Sequence, residues 1–267
     1  MNIPGAQRGP LFFTVPKKND SLEYGAACFL IDEGSKPFYA VGMILSKEAR
    51  KEGEARFSRF RRSVEIEVFS HTYEDGICRN VRCLIEELAE LSTRLSVQIH
   101  DSAQSLDLMR KYRIDTLPVT VLHSRDMPEL RMYGLPLVYG YEPFLDVLAL
   151  YGGANESPIE GNTKLKETLM AKDERTGVFP LNLLLSRYNP LCKDAIHWFL
   201  NLVITEFSLP AGKKAVPSIR FVEEEPQWFS LLPKKELPCI NSSSRYLFWP
   251  FKVEDLSGFF DDPSERG

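Results

Sequence analysis

The sequence predicts an α/β protein built from two like units in tandem, with an N-terminal extension of a β-hairpin and a charged helix. Three observations lead there. Residues 63–151 switch repeatedly between a period of two and a period near 3.6. A polar segment with turn residues follows, and the same order of periods then begins again.

The extension comes first. Ala26 to Ile31 and Tyr39 to Leu45 flank the turn-rich EGSKP, the pattern of a hairpin. The stretch SKEARKEGEARFSRFRR opens on Ser46 with an early glutamate, a helix start of the capping-box kind, and reads onward as a mostly polar, solvated helix.

In the first unit Val64, Ile66 and Val68 alternate as in a strand, while Val81, Leu84, Ile85, Leu88 and Leu91 recur at helical spacing. A strand near Val97 to Ile99, a helix around Ser105 to Tyr112, strands at Val119 to Leu122 and Leu130 to Tyr133 about the turn HSRD, and a helix from Pro143 to Leu150 complete the order β-α-β-α-β-β-α. GGANESPIEGN reads as a linker, and TKLKETLMAK as a short helix. Strand Leu181 to Leu185 reopens the pattern. A helix with Ala195, Ile196, Phe199, Leu200, Val203 and Phe207 on one face follows, then a strand near Ile219 to Val222, the element PQWFSLL, strands at Pro238 to Ile240 and Tyr246 to Trp249, and a helix from Val253 to Phe260. The expected boundaries are 1–62 for the extension, 63–152 for the first unit and 153–267 for the second.

Composition narrows the function classes. The chain has 267 residues, 43% hydrophobic and 26% charged, which suits a globular protein with a sizeable core. A net charge of -4 argues against a protein that works by neutralising phosphates, so neither nucleic acid nor a membrane surface is an expected partner. The five cysteines (Cys28, Cys78, Cys83, Cys192, Cys239) form no dense framework and read as reduced thiols of a cytoplasmic protein. MNIPGAQRGP has no basic region followed by an apolar one, and no run reaches the roughly 18 apolar residues of a membrane span.

The segments ELAELSTRLSVQI, RKYRIDTLPVTVL and LRMYGLPLVYGYEPFLDVL resemble the first unit of the tandem-thioredoxin protein disulfide oxidoreductases of hyperthermophiles. LNLLLSRYNPLCKDA, EEPQW and ELPCI continue the likeness collinearly into the second unit, whereas the hairpin has no counterpart. The resemblance implies a C-x-x-C motif at the start of each unit's first long helix, and the matching positions here are Asp75-Gly76-Ile77-Cys78 and Asn189-Pro190-Leu191-Cys192. The attacking cysteine is missing from both. Its position matters because unpaired N–H groups at a helix start stabilise a thiolate. Asp75 and Asn189 are good N-cap residues that satisfy the same groups, and Pro190 suits the first helical position.

Cys78 and Cys192 therefore read either as single nucleophilic thiols or as small residues packed beneath a helix start. Lys193 beside Cys192 and neutral Asn189 favour Cys192 over Cys78, next to Asp75, as a thiolate. The resemblance further implies cis peptide bonds before Pro118 and Pro238, with Leu117 and Leu237 offering backbone to an extended peptide of a partner protein. Asp75, Leu117, Pro118, Asn189, Leu237, Pro238 and Cys239 form the candidate substrate-binding set. A Cys192–Cys239 disulfide is the one unusual pairing that this arrangement allows.

His71, Asp75 and Cys78 match no zinc spacing, His197 beside Trp198 reads as a packed or solvated histidine, and no metal or cofactor is expected. Arg59, Arg61 and Arg62, with Phe57 and Phe60 between them, read as a solvated helix end. Two functions of different class follow: a protein-interaction module with peptide grooves, the hairpin giving a surface for a partner or a second copy, or a thiol-disulfide oxidoreductase acting through one cysteine.

Overall fold

In the computed structural model, residues 44–71, 76–139, 141–154, 167, 179–186, 188–207, 215–223, 225–232, 236–242, 245–252 and 256–259 are described. The hairpin expected over residues 20–45 lies outside them but for its last two residues, as does Asp75; of TKLKETLMAK only Glu167 is described, and it is helical.

Helix α1 (Lys47–Phe57) starts where Ser46 accepts from the Ala49 N–H at 3.1 Å. Ala49 stands where a capping box needs a glutamate, so only half of that device is present. The helix is more than a solvated face. Gly53 and Phe57 are buried, and a Cβ at Gly53 would meet Leu91 Cδ1 at 2.8 Å and the Tyr141 hydroxyl at 2.9 Å. Tyr141 donates to Ala49 O at 2.8 Å, and Arg56 bonds Asp146, both fixing α1 to α4 (Tyr141–Tyr151).

The core of the fold is one sheet. Among the described residues it has eight strands in the order β2-β1-β3-β4-β6-β5-β7-β8, formed by β1 (Val64–Ser70), β2 (Leu95–Asp101), β3 (Val119–Ser124), β4 (Leu130–Tyr133), β5 (Phe179–Leu185), β6 (Ala215–Phe221), β7 (Cys239–Ser242) and β8 (Arg245–Phe248). Each half repeats one pattern: a parallel pair, β1 with β2 and β5 with β6, then an antiparallel hairpin, β3 with β4 and β7 with β8. The halves join edge to edge by a short parallel pairing, Arg131 with Ser218 and Met132 with Ile219.

Alternation along the strands divides the sheet into two unlike faces. Val68, Met132, Ile219, Leu183, Ile240 and Leu247 lie in one register row, with Thr120 between Val68 and Met132, and these six belong to a single apolar core that spans both halves. Helices α2 (Gly76–Ala89), α4 and α5 (Cys192–Phe207) cover it. The opposite face carries two smaller clusters. Phe69, Val119, Val121, Tyr112 and Tyr133 form one beside α3 (Leu106–Lys111), and Leu184, Val222, Leu232 and Cys239 form the other beside α6 (Pro226–Leu231). A last helix, α7 (Leu256–Phe259), packs Leu256 and Phe259 into the large core.

Two local readings gain detail. Gly152, Gly153 and Ala154, the first residues of the expected linker GGANESPIEGN, close α4, the rest of it lying outside the described residues: Gly153 has φ +70°, its N–H reaches Leu150 O at 3.1 Å, and the Ala154 N–H reaches Ala149 O at 2.9 Å, the paired bonds of a Schellman motif. Arg62 does not end in solvent. It donates to Leu150 O at 3.2 Å, a cation on the carbonyl end of α4, and to Arg125 O at 3.1 Å. No helix among the described residues is long and apolar enough to cross a membrane.

Candidate functional site

β5 leads through Ser186 to the start of α5. There the side chain of Asn189 does two things: Oδ1 accepts from the Leu191 N–H at 2.9 Å, and Nδ2 donates to Leu237 O at 2.6 Å. The first is an Asx-type capping bond in the turn Asn189–Leu191 that leads into α5 at Cys192. The second ties the helix start to the loop ahead of Pro238. The Leu117–Pro118 and Leu237–Pro238 peptide bonds are both cis, and a third cis bond, Trp249–Pro250, has no antecedent in the sequence reading. Asn189→Ala removes a cap and a bridge together. It is expected to lower stability by about 1–2 kcal/mol in urea unfolding. Asn189→Asp, which keeps the cap acceptor but sets an oxygen against Leu237 O, is expected to cost at least as much.

Cys192 is 5% exposed and its thiol donates to Ser186 O at 3.0 Å. Burial pushes this thiol up to about 11, and the Glu223 carboxylate acts in the same direction. Lys193, expected to favour a thiolate, instead pairs with Glu142 at 2.9 Å on the far side of the helix start. Cys239 is wholly buried, and burial pushes it up to about 12. Cys192 packs in the large core and Cys239 in the small cluster on the other face, so the sheet stands between them and the pairing considered from sequence has no geometric basis. Cys78 is also fully buried, and Cys78, Cys83, Cys192 and Cys239 form no disulfide. No three acidic, His or Cys side chains converge as a metal site among the described residues. His71 bonds Ser102 at 2.8 Å, and His197 lies 3.4 Å from Asp146.

Around these helix starts the surface is apolar. Tyr188 is 81% exposed and Leu191 41%, beside half-buried Leu237; in the first unit Ile77 is exposed and Leu117 half-buried. Neither a protein-family model nor any curated protein matches the chain. Solved structures do. The NTD_N/C domain of alkylhydroperoxide reductase AhpF from Enterococcus faecalis (V583) superposes with a TM-score of 0.64 at 12% identity, over 80% of this chain and 98% of that one. A protein disulfide oxidoreductase from Aeropyrum pernix k1 gives 0.62 at 15% identity, over 83% and 94%. The fold is thioredoxin-like. At these identities the likeness is one of architecture, a mixed sheet flanked by helices.

A second set of buried polar groups escaped sequence reasoning. Arg220 on β6 is 5% exposed and lies 3.6 Å over the Tyr133 ring. Its Nη1 donates to Glu225 Oε2 at 2.7 Å, its Nη2 to Asp115 at 2.8 Å, and its Nε to Ser218 Oγ at 3.4 Å. Glu225 Oε2 also accepts from Thr116 Oγ1 and from Trp228 Nε1, both at 3.1 Å. Asp115 and Thr116 lead into Leu117–Pro118, so the second half of the chain holds the loop that carries the cis bond of the first. Burial pushes the Tyr133 hydroxyl up to about 12 against the pull of Arg220, which keeps it a donor. The signal was present as polar residues at alternate positions of otherwise apolar strands: Arg131 in LRMY, Asn182 in LNLLL, Ser218 and Arg220 in AVPSIRF, Asn241 in CINS.

Proposed function

We propose that this protein is a thioredoxin-fold binding module without dithiol redox chemistry, which presents grooves beside Leu117–Pro118 and Leu237–Pro238 to an extended peptide of a partner protein. In this reading it is a divergent member of the tandem-thioredoxin disulfide oxidoreductases, with units at 63–152 and 153–267, both C-x-x-C motifs degenerate, and an extension at 1–62 whose helix α1 is packed into the first unit. A reducing cytoplasm suits thiols that form no disulfide among the described residues.

One observation carries the reading above the others. Asn189 stands at the position of an attacking cysteine and is built into the framework, bonded to the helix start and to Leu237 O. A peptide laid along the second groove would find that carbonyl taken and would pair with the Leu237 N–H, its apolar side chains against exposed Tyr188 and Leu191. The single-cysteine oxidoreductase draws no support from the geometry, since Cys78, Cys192 and Cys239 are all buried and burial raises the last two.

The experiment is alkylation of the native protein with identification of each modified cysteine, beside an insulin-reduction assay and selection of extended peptides from a displayed library. Cys78, Cys192 and Cys239 are expected to stay unmodified until unfolding, insulin to stay oxidised, and selected peptides to lose several-fold in affinity on Tyr188→Ala or Leu191→Ala. Rapid modification of Cys192 below about pH 8 would replace this reading with the single-thiol enzyme.

The raised thiols also set a pH dependence. Below about 9, the ordinary value, they are protonated folded and unfolded alike; above it the unfolded chain ionises first and the folded one only near 11 for Cys192 and 12 for Cys239. The unfolded state then binds fewer protons, so stability falls as pH rises through that window. Urea midpoints taken across it are expected to decline, and less steeply in Cys192→Ser.

A further inference from the structure

On the polar face, where β4 meets β6, a cavity of about 300 Å3 opens between the two small apolar clusters. Arg113, Arg131 and Tyr133 come to it from the first half of the chain, and Asn182, Ser218 and Trp228 from the second. Its size is that of a small-molecule site.

The hydrogen bonding of its floor runs in one direction. Arg220 Nε donates to Ser218 Oγ at 3.4 Å, Ser218 to Asn182 Oδ1 at 2.6 Å, Asn182 Nδ2 to Asn241 Oδ1 at 3.2 Å, and Asn241 Nδ2 to Arg245 O at 3.1 Å. The amide oxygens of Asn182 and Asn241 are thus consumed inside the protein, while Asn182 keeps a second N–H. Both oxygens of Asp115 face Arg220 Nη2, at 2.8 and 3.1 Å. Arg131 is 7% exposed, and its Nε and Nη2 both go to one oxygen, Glu129 Oε1; its Nη1 has no partner among the described residues. Arg113 stands exposed at the rim with φ 50°, in no ion pair among the described residues. Glu129 and the pair Glu225 and Asp115 offset Arg131 and Arg220 in charge, so what the lining holds in surplus is hydrogen-bond donors, at Arg131 Nη1, the Asn182 amide and Arg113.

We infer that this cavity binds a small organic oxyanion. Its carboxylate or phosphate group sits on Arg131 Nη1 and the Asn182 amide, Arg113 closes over it from the rim, and its carbon skeleton lies toward Trp228 and the apolar side chains Pro180 and Val216. Buried donors meeting an ionised acceptor form the strong class of hydrogen bond, and the low dielectric around Arg131 strengthens it further. Inorganic phosphate would leave much of the cavity unfilled. The site shares Asp115 and Arg220 with the clamp that holds Leu117–Pro118, but Arg113, Arg131 and Asn182 belong to neither groove, so it is tested separately from them.

The test is calorimetric titration of the full chain with citrate, succinate, glycerol 3-phosphate and inorganic phosphate, against sodium chloride at matched ionic strength, with tryptophan fluorescence as a second readout. One-site saturable binding of an organic anion is expected, weakened about tenfold or more by Arg113→Gln and lost in Arg131→Met. The carboxylate and phosphate-ester arms tell which oxyanion is preferred. Thermal melts check folding, and if Arg131→Met does not fold, Arg113→Gln at the exposed rim decides alone. Absence of binding by every organic probe at millimolar concentration would overturn the inference, as would affinities unchanged in Arg113→Gln.

Discussion

Replacing Arg220 by Met is expected to lower stability by about 3–5 kcal/mol, the range for removing one partner of a buried ion pair. Glu225 is 2% exposed, and one of its oxygens, Oε1, already lacks a partner. Without the guanidinium, its carboxylate would sit in the interior with only Thr116, Trp228 and Gln227 donating to it. Urea unfolding measures the loss. In the double variant Arg220→Met/Glu225→Gln the cost should fall well below the sum of the single ones, because the stranded charge is gone. Hydrogen exchange gives a second reading: amides of residues 113–117 should exchange faster in Arg220→Met, since Asp115 and Thr116 lose their anchors. A loss under about 1 kcal/mol would mean that solvent or a neighbouring donor reaches Glu225 and that the clamp is dispensable.

Glu67→Leu is the second large effect, expected at about 2–4 kcal/mol. Glu67 is 7% exposed on the polar face of β1. Its Oε1 accepts from the Tyr112 hydroxyl at 2.6 Å and its Oε2 from His100 Nε2 at 2.7 Å; His123 Nε2 lies 3.1 Å from Oε1, off line for a hydrogen bond. Leucine fills the space but strips the acceptor from a buried hydroxyl and an imidazole at once. Burial, and then the bond to Glu67, push the Tyr112 hydroxyl well above its ordinary range, so it remains a donor in need of that carboxylate at any pH near neutral. Glu67→Gln retains an acceptor for Tyr112 and should lose less than half as much. Equal losses in the two variants would show that charge, not acceptor geometry, holds the cluster together.

Both effects arise on the sheet face that the sequence disclosed least. Period-two runs such as Val64, Ile66 and Val68 and helical runs such as Val81, Leu84 and Leu88 are visible locally, because a strand or helix that buries one face must repeat apolar residues at its own pitch. The element order of both halves follows from that. Asn189 as a cap was legible too, since capping depends on residues one to three places away. Its bond to Leu237, 48 residues on, was not. The break after α4 was legible from the composition of GGAN, but not the paired backbone bonds by which Gly153 and Ala154 close the helix.

By itself, then, the sequence determined the α/β class, the succession of elements and the asparagine at 189, three residues ahead of Cys192 where α5 begins. Tertiary structure alone decided that Lys193 turns away to Glu142, that the sheet separates Cys192 from Cys239, and that Arg131, Ser218, Asn182 and Asn241 stand side by side in one row. The physical reason is the β4–β6 pairing. Local periodicity says which face of a strand a residue occupies, but its neighbours across the sheet are chosen by strand order: the β5–β6 and β5–β7 pairings align Ser218, Asn182 and Asn241, and two edges joined over two residue pairs add Arg131.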